Sequence, residues 1–133
     1  MAGGAGADTF KGEINATKTA SKTGPISLDV ITDFQFGDKI DLAALDANSS
    51  LAGNQAFTFN GTNANKSAGD LTYKTYASVN GAESALGFDV DGITGKSTAG
   101  PVTVVFGNMD GGSPDFAIVL LGVSSISGSD FFL

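Results

Sequence analysis

Residues 3–11, Gly-Gly-Ala-Gly-Ala-Asp-Thr-Phe-Lys, constrain the fold more than any other stretch of this chain. They fit the nonapeptide G-G-x-G-x-D-x-U-x, where U is a large apolar residue, at every fixed position. Gly3, Gly4 and Gly6 permit left-handed backbone angles, so carbonyl oxygens can turn inward around a cation. Asp8 adds a carboxylate oxygen, the hard ligand that Ca²⁺ prefers. Thr9, Phe10 and Lys11 then form a very short strand, with Phe10 directed at the core. A glycine-rich surface turn is the alternative that needs no ion. Repeats of this kind bury their apolar positions only by stacking, and about three are needed for stability. A single copy therefore reads as the last turn of a longer solenoid, with Met1 and Ala2 as an added start.

The rest of the composition fits many turns and short strands. Nineteen glycines in 133 residues is about twice the usual frequency. The chain has no Arg, His, Cys or Trp. Without His or Cys it lacks the common zinc ligands, a thiol nucleophile and the base of a Ser-His-Asp triad. A net charge of −7 disfavours nucleic acid and anionic membranes as partners and favours bound cations. Twelve Asp against two Glu places short carboxylates in tight, glycine-rich loops, which is calcium-ligand chemistry. No stretch approaches the ~20 apolar residues of a membrane span, and no signal peptide opens the chain.

Along the chain, residues 12–24 read as a polar loop and Pro25 starts the next element. Residues 27–34 and 39–42 are strand-like around a Gly37-Asp38 turn, and Asp41 can cap a brief helical turn over residues 42–45. Residues 56–59 form a strand ending at Asn60-Gly61, a hairpin signal. Residues 71–76 alternate as a half-buried strand does, Asn80-Gly81 turns the chain, and residues 85–91 form the next strand. Residues 92–100 are a loop. Residues 102–106 and 116–121 are the two most apolar strands. Asn15, Asn48, Asn60 and Asn65 open N-x-S/T sequons, read here as Asn-rich loops rather than glycosylation sites. The sum is an all-β domain without a helix of normal length. One parallel β-roll turn leads into an antiparallel sheet or sandwich of about seven short strands.

Three segments carry a family resemblance. Residues 29–42, Asp-Val-Ile-Thr-Asp-Phe-Gln-Phe-Gly-Asp-Lys-Ile-Asp-Leu, resemble the stretch that follows the last repeat in the serralysin-type C-terminal domain of RTX proteins. That pattern reads D-x-I-x-D-F-x-x-G-x-D-x-I-D-L, and the segment here is one residue shorter. Asp29, Asp33, Asp38 and Asp41 fall on its acidic positions. Residues 107–116 resemble the family's acidic hairpin, with Asp110, Asp115 and Phe116 matching. Asn108 and Gly112 stand where other members carry Asp, so a cation site there is weakened and an ordinary hairpin is the alternative. Asp130, Phe131, Phe132 and Leu133 resemble the uncleaved tail that a type I ABC exporter reads, with a final edge strand as the alternative.

The resemblance implies a non-enzymatic, calcium-binding C-terminal module of a secreted RTX protein. Residues 1–11 would be its last repeat and residues 12–133 a capping and secretion module. The implied metal ligands are Gly3, Gly4, Gly6, Asp8, Asp29, Asp33, Asp38, Asp110 and Asp115, with Ca²⁺ as the ion. The implied partners are the exporter and the upstream repeats, outside a Gram-negative cell or at its surface. A calcium-dependent adhesion or surface-array module is a second reading of the same features. An enzyme is a third. Asp89 and Asp91 offer a carboxylate pair for glycoside hydrolysis, but they sit two apart beside glycines with no aromatic subsite.

Overall fold

The computed structural model of the chain describes residues 1–12, 27–91 and 100–133. The loops expected over residues 12–24 and 92–100, the start at Pro25 and the sequon at Asn15 lie almost wholly outside them. The described residues form mostly β strands in two sheets, with one short helix.

The first sheet is small and entirely parallel. Its strands are β1 (Thr9–Lys11), β3 (Lys39–Asp41) and β8 (Phe131–Phe132), in the order β1-β3-β8. Each strand is only two or three residues long, so each offers the core a single apolar side chain. Phe10, Ile40 and Phe131 are paired in register and form a buried ladder. The β2 strand (Ser27–Ile31) belongs to the second sheet. It is joined there by β4 (Thr58–Gly61), β5 (Asp70–Tyr76), β6 (Val102–Gly107) and β7 (Phe116–Leu121), in the order β2-β7-β6-β5-β4.

The two sheets share one core. Phe10, Ile40 and Phe131 pack with Ile31, Leu71, Val105, Phe116, Ile118 and Leu120. The opposite face of the larger sheet carries a second cluster, in which Val102, Val104, Ala117 and Val119 meet Val79, Ala82 and Val90. β6 and β7 are thus buried on both faces, which explains why they read as continuous apolar runs rather than alternating ones.

Three expectations need correction. The larger sheet is mixed, not antiparallel: β5-β6 and β6-β7 are antiparallel, whereas β2-β7 and β4-β5 are parallel. Asn60-Gly61 does not close a hairpin. Residues 62–69 instead carry the chain back so that β5 runs parallel to β4. Asp70 fixes that crossover by accepting from the Lys66 and Ser67 amides at 2.9 and 2.8 Å and from Asn60 Nδ2 at 2.6 Å. The turn expected at Asn80-Gly81 and the first two residues of the strand expected over residues 85–91 are replaced by a helix, α1 (Val79–Leu86), and residues 87–91 form a bent segment rather than strand. Ser78 caps it by accepting from the Gly81 amide at 3.1 Å, and Gly87, at φ 77°, ends it in the left-handed region. Val79 and Ala82 are its buried residues.

A candidate cation site at two stacked turns

The β1-β3 pairing extends beyond the strands. Thr9, Phe10 and Lys11 pair with Lys39, Ile40 and Asp41, a constant separation of 30 residues that also relates Gly3 to Asp33 and Asp8 to Asp38. Residues 33–41 therefore lie against residues 3–11 as a second turn in the same register. The second turn keeps the aspartate and the buried apolar residue of the nonapeptide, as Asp38 and Ile40. It lacks the three glycines, whose positions hold Asp33, Phe34 and Phe36.

Hydrogen bonds join the turns. The Gly3 and Gly4 amides donate to the two carboxylate oxygens of Asp33 at 3.0 and 2.9 Å. The Asp8 amide donates to Asp38 Oδ1 at 2.9 Å, and the Gln35 amide to Asp38 Oδ2 at 3.0 Å. Gln35 Nε2 donates to the Gly4 carbonyl and the Lys39 amide to the Asp8 carbonyl, both at 2.8 Å. The amides of Gly4 and Gly3 hold the Asp33 carboxyl below its ordinary value. Gly4 and Gly6, at φ 93° and 125°, supply the left-handed angles expected of the glycine-rich turn.

Asp8 differs from its partner in register. Its Oδ2 is shielded from solvent and has no hydrogen-bond partner among the described residues. A Cβ at Gly3 would fall 2.6 Å from that oxygen, so the Asp8 carboxylate lies in space that only glycine leaves open. A shielded, unpartnered carboxylate oxygen is costly unless something positive meets it. Asp8 thus fits the role of one contributor to a hard-cation site, with the glycine turn around it.

The other predicted ligands are placed elsewhere. Asp29 lies on β2 and lines a shallow groove with Met1, Ala2, Thr9, Phe10 and Lys11. Asp110 and Asp115 lie in the β6-β7 hairpin loop. There the Met109 amide donates to Asp115 Oδ2 at 2.6 Å and the Gly112 amide to Asp110 Oδ1 at 2.9 Å. Buried Asn108 accepts from the Asp110 and Gly111 amides and donates to the Gly112 carbonyl, so side chains organise this loop from within. The nine predicted ligands do not converge on one carboxylate cluster. Among the described residues, the trio whose oxygens lie within 4.8 Å of one another is Glu83, Asp89 and Asp91.

That trio was visible in the sequence only as the Asp89/Asp91 pair. Helix α1 brings Glu83 to them, and its signals were Ser78 as a cap, Gly87 as a stop and Val79, Ala82 and Leu86 at helical spacing. Glu83 Oε1 accepts from the Val90 amide at 3.3 Å and Asp89 Oδ1 from the Asp91 amide at 3.2 Å. The trio can hold a metal ion, with nothing that selects calcium.

The tail residues are built into the fold. Asp130 closes a capping box with Ser127, and Lys39 Nζ donates to the Ser129 carbonyl at 2.5 Å. The buried ring of Phe131 sits 5.4 Å from that of Phe59. Phe132 and Leu133 are exposed. No family model matches the chain, and neither a curated protein nor a solved structure matches it.

Proposed function

We propose that this chain is the calcium-binding C-terminal module of a secreted bacterial RTX protein, closing a parallel β-roll and carrying a type I secretion tail. One observation carries the reading: a glycine-rich turn and an acidic turn stack in a constant register, with a carboxylate oxygen of Asp8 left unpartnered. In this reading Asp8 and the carbonyl oxygens of the glycine turn hold Ca²⁺, and the next turn upstream adds to the outer edge of β1. The upstream chain stays open where calcium is scarce and folds outside the cell. An ion bound only by the folded form, present at a hundred times its Kd, adds about 2.7 kcal/mol. The module itself does no chemistry.

The first test is calorimetry of the chain in calcium and in excess chelator. Calcium raises the melting temperature if Asp8 binds it, and an unchanged transition refutes the internal calcium site. Export is tested by fusing the chain behind a slow-folding reporter in cells with a matched type I exporter. Deleting residues 130–133 also removes Phe131 from the core. The informative variant therefore lacks only Phe132 and Leu133, which are exposed. Reporter in the medium, lost in that variant, supports the address. Retention of both, with a control substrate exported, refutes it.

In a second reading, an extracellular interaction module that assembles through calcium, the fully exposed Phe36 ring would be a contact point. Calcium-dependent oligomers in light scattering, lost in Phe36→Ser, would support it over the capping role.

A further inference from the structure

We infer that the joint between the two turns is closed by carboxylates acting on backbone amides, and that it holds without any bound cation. The oxygens and amides that face each other across the joint already have partners. Asp33 takes the Gly3 and Gly4 amides, one on each oxygen. Asp38, only 1% exposed, takes the Asp8 amide on one oxygen and the Gln35 amide on the other. The Gly4 and Asp8 carbonyls accept from Gln35 Nε2 and the Lys39 amide. The N–H donors that point at these oxygens already supply the positive partner for which a cation would otherwise be needed. Charge-assisted bonds of this type are among the stronger hydrogen bonds in proteins.

The two turns thus meet the same problem differently. In the second turn Asp38 is buried and both its oxygens have amide donors. In the first, the register-equivalent Asp8 keeps one shielded oxygen without any. Need for a cation is confined to Asp8, while Asp33 and Asp38 lock the joint by themselves. They act as positioning residues whether or not a cation is present. The lock does not depend on whether Asp8 binds calcium.

Amide hydrogen exchange of the whole chain, read by NMR in excess chelator and in calcium, tests this. The Asp8, Gln35 and Lys39 amides should be equally protected in both conditions. In chelator, Asp38→Asn sets an amide donor against a backbone donor and should lower their protection roughly tenfold or more. Asp8→Asn should leave it unchanged. Protection that exists only in calcium overturns the lock and leaves the calcium reading standing. Protection in both conditions, with a melting temperature that ignores calcium, supports the lock and removes the calcium reading. Protection unaltered in an Asp33→Asn, Asp38→Asn double variant overturns the lock without reference to calcium.

Discussion

Asp8 and Asp38 are the same residue at the same place in two stacked turns, and their surroundings differ. Asp38 follows Gln35, Phe36 and Gly37 in a turn that directs the Gln35 amide back at its carboxylate, and β1 adds the Asp8 amide from the other side. Asp8 follows a glycine-rich turn whose amides at Gly3 and Gly4 point across the joint to Asp33. The Gly3 and Gly4 amides therefore serve Asp33 and leave one Asp8 oxygen without a donor among the described residues. Which backbone amides remain available decides whether an aspartate is structural or awaits a ligand.

The largest expected effect tests whether the turns stand or fall together. Ile40 is the central rung between Phe10 and Phe131 and is 1% exposed. Ile40→Ala should cost about 2–5 kcal/mol in urea unfolding, because the cavity touches both neighbouring rungs. A loss below about 1 kcal/mol, less than large-to-small core changes give, would mean that the small sheet adds little to the core.

Next comes the aspartate pair. Asp38→Asn leaves a buried amide without an acceptor and should cost about 1–3 kcal/mol in chelator. Asp8→Asn removes a charge that has no donor on one oxygen. Because that shielded charge is costly without a cation, its removal should leave stability in chelator unchanged or raise it, by at most about 1–3 kcal/mol. It should also abolish any rise of melting temperature in calcium. Equal losses in the two variants would erase the distinction between the turns.

Acid gives the smallest effect. The Gly4 and Gly3 amides lower the Asp33 carboxyl below 3.8. A depressed carboxyl contributes stability that is fully present above its unfolded pKa and lost as pH falls through its folded one. Wild type should therefore lose slightly more stability than Asp33→Asn as pH falls below about 3.8. Parallel pH profiles would show that Asp33 is not held by those amides in solution.

Much of the strand content was legible. β7 falls on residues 116–121 as read, and β5 and β6 differ from the reading only at their ends. β6 and β7 are apolar, β5 alternates as a half-buried strand does, and polar or glycine-containing segments bound them, so local pattern suffices. Residues 79–86 were misread because Asn80-Gly81 is a strong turn signal in isolation. Both residues are exposed on the first turn of α1, where the Ser78 cap and burial of Val79 and Ala82 override them. Asn60-Gly61 departs from its turn signal for a related reason, since Asp70 gathers two donors from the crossover and one from β4 and directs β5 parallel to β4. At the site, the glycine turn and Asp8 were legible from their motif. Nothing in the spacing revealed that Asp33 and Asp38 would face amides of a turn 30 residues earlier.

By itself the sequence determined the glycine turn, the strand-rich character and the acidic, cysteine-free chemistry. These depend on backbone freedom, alternation and charge, which are properties of neighbours along the chain. Only the tertiary structure decided the parallel pairings, the helix over residues 79–86, the burial of Phe131 and the fate of each carboxylate. Those outcomes depend on which distant amide or apolar side chain arrives opposite a given residue. Local periodicity does not encode that, because hydrogen-bond donors are supplied by the fold as a whole.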